Sequence, residues 1–230
     1  MAAAIQAIFE DHFSAYAREH RLSWREQWAA YNILTCHTPA QGAHILRCPH
    51  GHVETVRYNS CKHRTCPQCG WVETERWIRT QQERALPCGY HQIVFTIDHD
   101  LIPLWLYNRT LFVNLMFDAA WHALRQLLRD ERWLGALPGA IGAFQSWGET
   151  LNTHPHLHVV VTAGGLDPQG CWRPCAKDFL LPSRVLSALY RGKILAYLRA
   201  HLERAPLLQL PPDWTPARTR SLLNRLGRQK

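Results

Sequence analysis

The sequence predicts an α+β protein in two parts: a small N-terminal helical and zinc-knuckle domain, then an antiparallel-sheet core with flanking helices. Three observations predict it. Cys48, Cys61, Cys66 and Cys69 fall close together in the first third of the 230 residues. Three later segments read as strands, HQIVFTID (91–98), AIGAFQSW (140–147) and THPHLHVVV (153–161). A long helical pattern over 104–130 separates the first strand from the other two, an order β, α, β, β that makes the last two an antiparallel hairpin.

The elements follow in order. Residues 2 to 35 read as helical, and Ser23 to Glu26 has the capping-box pattern, in which the two side chains satisfy each other's backbone N–H. Trp24, Trp28 and Tyr31 recur at helical spacing and read as packing residues. AHILRC and HVETVRY alternate around PHG, as two short strands around a tight knuckle do. WVETERWIRTQQERAL is a polar helix that Pro87 ends, because proline lacks the N–H a helix interior needs. This places a boundary between 1–86 and 87–230. Residues 104–130 are apolar enough for one long helix lying across a sheet. Val159 to Val161 are continuous and β-branched, which suits a strand covered on both faces. A loop over 164–178 leads to a helix from Pro182 and Ser183 to about 204, and PPDWTP sets off a last basic segment. No internal repeat is present.

Composition narrows the class. A hydrophobic fraction of 47% with ten tryptophans excludes a disordered chain. No apolar run reaches the ~20 residues of a membrane span, and MAAAIQAIFEDHF lacks the basic start and apolar core of a signal peptide. The expectation is a soluble cytoplasmic protein with no membrane partner, whose cysteines bind metal instead of forming disulfides. The net charge is +8, and residues 184–230, with ten basic and two acidic side chains, carry all of it. Arg218, Arg220, Arg225 and Arg228 crowd its end. A one-sided, arginine-rich terminus is the footprint of a polyphosphate partner, nucleic acid first.

Two groups of residues carry chemistry. Cys66-Pro-Gln-Cys69-Gly70 is a metal knuckle in form, and CPHGH supplies a partner. Four ligands complete a structural zinc site. The preferred set is Cys48, His50, Cys66 and Cys69, with Cys61 and His52 as alternates and His63 also in reach. Arg57, Lys62 and Arg64 beside them are candidate phosphate contacts, as is Arg47. The second group is His154, His156 and His158. Alternation puts all three on one strand face, about 6.6 Å from one to the next, where imidazoles can lean onto one ion at ~2.0–2.1 Å. The His-x-His of barrel amidohydrolases is a poor fit, because only His201 follows His158 to supply further ligands.

YNSCKHRTCPQCG after a Cys/His knuckle resembles the N-terminal zinc-binding domain of rolling-circle insertion-sequence transposases. VFTID and THPHLHVVVTAGG resemble the two motifs of the His-hydrophobe-His, endonuclease-like core that follows in that family. The resemblance implies that His156 and His158 hold a divalent ion against the scissile phosphate of single-stranded DNA at a transposon end. His154 is then a third ligand or a partner of the ligands, and Gln92 and Glu149 are alternatives. Imidazoles alone favour zinc or another transition metal, whereas the resemblance implies Mg2+ or Mn2+ beside the structural Zn2+. It also implies a tyrosine nucleophile, a phosphotyrosine intermediate, and a bacterial, nucleoid-associated setting. The family's nucleophiles are a close tyrosine pair. After residue 161 this sequence has only Tyr190 and Tyr197, seven residues and about 10.5 Å apart on a helix, and both read as core. The expectation is a C-terminally truncated member without its nucleophile, the alternative being a non-catalytic zinc-dependent nucleic-acid-binding module. Trp147 and Trp172 near the histidine strand are base-stacking candidates, with packing the expected role.

Overall fold

In the computed structural model, which describes residues 2–175, 180–204 and 207–228, the chain divides after Ala85 into two units. The first holds α1 (Ala2–Glu19), α2 (Trp24–Thr35), the hairpin β1 (Ala43–Arg47) and β2 (Val53–Tyr58), and α3 (Pro67–Arg84). Ser23 caps α2 as its sequence dictates: the Glu26 N–H donates to the Ser23 hydroxyl at 3.3 Å, and the Ser23 N–H donates to the Glu26 carboxylate at 2.7 Å. Helix α3 begins at Pro67, four residues before the segment read as helical, so Cys66 is its N-cap and the knuckle forms its first turn. Proline suits that position because the N–H it lacks would have no partner there.

The buried core of this unit is small: Ile33, Cys36 and Cys66, with Phe9, Cys61 and Cys69 packed against them. Helix α2 turns Ala30 and Ile33 inward. Trp24, Trp28 and Tyr31 lie on its other side, 70%, 49% and 44% exposed, so the packing role expected for them is corrected. Trp28 and Tyr31 stack on each other at 5.4 Å in solvent instead.

The second unit is a four-stranded antiparallel sheet with helices on one face. Its strands are β3 (Tyr90–Thr96), β4 (Leu137–Trp147), β5 (Thr153–Leu166) and β6 (Trp172–Pro174). They run in the order β3-β5-β4, and β6 pairs with the far end of β5. Helices α4 (Ile102–Tyr107), α5 (Arg109–Leu128), α6 (Ser183–Glu203) and α7 (Pro216–Arg228) complete it. Phe95, Leu157, Val159 and Val161 face the helices and share one core with Phe112, Met116 and Ala120 of α5, Leu186 and Leu198 of α6, and Leu223 and Leu226 of α7. Burying such side chains, at roughly 25 cal/mol per Å² of apolar surface, is what holds the layers together.

Three sequence expectations are revised here. The helix expected over 104–130 is two helices, broken at Asn108. The Asn108 amide donates to the carbonyls of Leu104 and Gln209 at 2.8 and 2.7 Å, and its oxygen accepts the Gln209 N–H at 2.8 Å. A side chain that bonds backbone in this way competes with helix continuation. The valine run does not mark a strand covered twice: Val160, on the face away from the helices, is 40% exposed. The loop expected from 164 carries the end of β5 and the short β6, its last three residues lying outside the described ones, as does Lys230. The last basic segment forms α7, whose Thr219, Leu223 and Leu226 are buried at helical spacing. Among the described residues no helix is long and apolar enough to cross a membrane.

Candidate metal centres and the open sheet face

Cys36, Cys61, Cys66 and Cys69 converge in the first unit, with all four sulfur atoms within 4.8 Å of one another. Cys36 is the C-cap of α2 and Cys66 the N-cap of α3, so two helix ends and the segment after β2 meet at this point. The Cys69 sulfur lies 3.6 Å from that of Cys36 and 3.7 Å from that of Cys61. Four thiolates around a zinc ion at ~2.3 Å stand ~3.8 Å apart along each tetrahedral edge, so the observed spacing fits that ion. Burial pushes the Cys61 thiol up to about 11 and raises Cys36 as well. Burial opposes ionisation of Cys66 too, but the N–H groups of Cys69 and Gln68 and the neighbouring thiols outweigh it and hold Cys66 below its ordinary value. A cation resolves that conflict by favouring all four thiolates.

The expected set of Cys48, His50, Cys66 and Cys69 is therefore not the one the fold gathers. Cys48, His50 and His52 sit at the tip of the β1–β2 hairpin, whereas Cys36 and Cys61 flank its base, where the His37 N–H donates to the Asn59 carbonyl. Five strand residues at ~3.3 Å each put the tip about 16 Å from the base. The Cys48 sulfur instead faces His52 Nδ1 at 3.5 Å across the turn. The alternate Cys61 is in the cluster, His63 is outside it, and Cys36 is the residue the sequence reading missed.

On the second unit, His156 and His158 project from β5 onto the face opposite the helices. His156 Nδ1 lies 2.6 Å from the His154 carbonyl and Nε2 lies 2.9 Å from Gln145 Oε1. With the proton on Nδ1, the Nε2 lone pair and the Gln145 oxygen are two acceptors face to face, an arrangement that a cation between them would relieve. The same Gln145 oxygen lies 3.2 Å from His158 Nε2. Gln145 stands directly across from His156 in the β4–β5 register. His158 Nδ1 faces the Gln92 amide at 3.2 Å, and the partner of one ring nitrogen sets which tautomer the other presents. Lone pairs from His156 and Gln145 thus meet with the His158 ring beside them, a donor set of nitrogen and oxygen that fits a divalent cation. The His154 ring is exposed, 5.1 Å from that of His156, and Glu149 is exposed in the β4–β5 turn.

The tyrosines lie elsewhere. Phe95 opposes Leu157 in the register, and the Tyr190 ring packs on Phe95 at 4.8 Å. Tyr190 is therefore on the helix side of the sheet, only 5% exposed, and burial holds its phenol well above the ordinary value of 10. The Tyr197 hydroxyl and His122 Nδ1, on the packed helices α6 and α5, are 2.9 Å apart. Neither tyrosine stands with the histidines. Trp147 and Trp172 are 50% and 40% exposed, which corrects the packing expected for them. Of the basic candidates, Arg57, Arg220, Arg225 and Arg228 are exposed, and Arg225 pairs with Asp100 at 2.8 Å. Arg218 lies over the Trp214 ring at 5.0 Å. Lys62 and Arg64 line a cavity of about 820 Å³ beside Cys69.

Four gathered cysteines that could hold a metal ion and a histidine pair on an open antiparallel sheet are the chain's two candidate sites. Residues 8–97 match the transposase zinc-binding domain, and residues 139–230 match a domain described as "putative transposase". The chain is 35% identical over 200 residues to the "Putative transposase y4qJ" of Sinorhizobium fredii, spanning 86% of this chain and 49% of that protein. It is 38% identical over 143 residues to the transposase for insertion sequence element IS801 of Pseudomonas savastanoi pv. phaseolicola, spanning 61% of this chain and 34% of that one. The chain thus carries a transposase zinc-binding domain followed by a transposase domain, consistent with the rolling-circle insertion-sequence family. It spans about half or less of the length of these two relatives. Among solved structures, the conjugative relaxase TrwC in its metal-bound complex with oriT DNA matches at a TM-score of 0.36 and 14% identity, over 60% of this chain and 64% of that one.

Proposed function

We propose that this chain holds single-stranded DNA at a transposon end, and that in the complete transposase its histidine face serves the nicking and rejoining of that strand through a phosphotyrosine intermediate. The observation that carries the reading is the convergence of His156 and His158 on one oxygen of Gln145 on an open sheet face. His156, His158 and Gln145 would hold Mg2+ or Mn2+ there, the His154 carbonyl fixing the His156 ring and Gln92, with its amide turned so that the oxygen accepts from His158 Nδ1, fixing the other. A bound divalent cation supplies neutralisation of charge on the phosphoryl oxygens. The side chains themselves orient the phosphate, and exposed Trp147 on the same sheet offers a surface for an unpaired base. Cys36, Cys61, Cys66 and Cys69 would hold a structural Zn2+, which supplies folding energy to a unit with little core. Arg57, Lys62, Arg64 and the α7 arginines follow the phosphate backbone.

The test is anisotropy of a labelled single-stranded oligonucleotide at several salt and Mn2+ concentrations. The reading expects affinity that falls steeply with salt and tightens with Mn2+, the Mn2+ effect vanishing in His156→Ala/His158→Ala while zinc content stays the same. An equal Mn2+ effect in both proteins would contradict it. A second reading, in which these 230 residues bind DNA without cutting it, is favoured by the placement of Tyr190 and Tyr197 on the helix side. It expects no covalent protein–DNA band on a denaturing gel. A band abolished by Tyr190→Phe or Tyr197→Phe would overturn it.

A further inference from the structure

β3 is an edge strand, and at its C-terminal end a cavity of about 200 Å³ lies between residues 96–98 and the first half of α6. It is smaller than the ~300 Å³ at which sites for drug-sized ligands begin. Thr96, one of its lining residues, stands directly across from His156, so the cavity adjoins the histidine face. Three features give it a ligand chemistry. Tyr190, one of its walls, buries a hydroxyl that has no hydrogen-bond partner, an arrangement that is unfavourable unless a ligand atom reaches it. Asp98 uses one carboxylate oxygen to accept the Asp100 N–H at 3.0 Å, which leaves the other for an N–H donor. Arg191 lines the cavity and makes no ion pair among the described residues. Arg191 and Ser187 also line a second, adjoining opening with Arg184.

The Asp98 carboxylate repels a phosphate from its side of the cavity, while Arg191, which the cavity shares with the adjoining opening, attracts one. Ile97, Ile194 and Leu195 supply apolar walls that suit the faces of a heterocycle. We propose that this cavity takes one unpaired nucleobase of a single DNA strand, its N–H edge on Asp98 and its phosphate on Arg191. The proposal rests on the reading of the second unit as a single-strand holder, and adds to it a position at which the strand is gripped by a base.

The experiment uses the 230-residue protein labelled with 3-fluorotyrosine, the Tyr190 resonance being the one lost in Tyr190→Phe. Deoxynucleoside monophosphates, 2-deoxyribose 5-phosphate and inorganic phosphate are titrated in turn, and oligonucleotide binding is followed separately by anisotropy. The nucleotides should move the Tyr190 resonance saturably, with the two base-free phosphates at least about tenfold weaker, as the loss of one hydrogen bond to a charged group predicts. Asp98→Asn keeps the turn cap but replaces the free oxygen with an amide donor, and should weaken the nucleotides by about tenfold. Arg191→Ala should weaken the nucleotides and the base-free phosphates alike. A Tyr190 resonance that no nucleotide moves, or that inorganic phosphate moves equally, rejects the base pocket. Salt-sensitive oligonucleotide binding would then leave the DNA-holding reading standing. Loss of oligonucleotide binding with an intact nucleotide response rejects that reading and leaves the pocket.

Discussion

Cys36 ends α2 with its sulfur 3.6 Å from that of Cys69, so one side chain ties the helical part of the first unit to the knuckle. Replacing it with serine should remove bound zinc and unfold this unit, whereas Cys48→Ser should leave one zinc per chain. Metal content by mass spectrometry of the native protein checks both. Tyr190 gives a second prediction at this scale. Its phenol ionises far above the ordinary value of 10 in the folded protein, but near 10 once unfolded. Protons are thus released on unfolding above about pH 10, and the stability this group contributes, fully present below that value, is lost as pH rises beyond it. Tyr190→Phe should remove that part of the alkaline destabilisation and, by deleting a buried hydroxyl with no partner, leave neutral-pH stability unchanged or about 1 kcal/mol higher. Chemical denaturation at pH 7 and pH 10.5 measures it.

Among the elements, β5 was legible because its signal is local. Alternating histidines, then valines, declare a strand and tell which histidines share a face. Gln145 was not, because it reaches His156 only through the β4–β5 register, and a one-residue slip would turn it to the helix side. Cys36 escaped for a related reason: it lies a hairpin away from Cys61, and only folding shows that the base of the hairpin, not its tip, borders the knuckle. The break at Asn108 was hidden because its partner, Gln209, is 101 residues on. Asn108 is 7% exposed and makes three hydrogen bonds to backbone. Asn108→Ala strands those groups and should cost about 2–3 kcal/mol of the stability of the second unit, read from urea unfolding. Equal stability would mean that the joint between α4 and α5 is held by packing alone.

For the whole molecule, the two units are stabilised by different means. The first has few buried residues and a cluster of four cysteines, and the second has one continuous apolar core. Chelation at neutral pH should melt residues 1–85 and leave 86–230 folded, seen as partial loss of helical signal with an unchanged high-temperature transition. Of the ten basic residues in the last 47, the segment that carries the net charge of +8, four lie on α7, where Arg220 and Arg228 are exposed. Each changed to alanine should lower the slope of log affinity for single-stranded DNA against log salt by about 0.7. The most direct test of the central claim is Mn2+ broadening of histidine ring resonances in the presence of single-stranded DNA. The account predicts that His156 and His158 broaden first, at Mn2+ concentrations that leave His12, His20 and His122 sharp, and that Gln145→Leu raises the concentration needed. Broadening that spreads evenly over the histidines, or that survives Gln145→Leu unchanged, would contradict it.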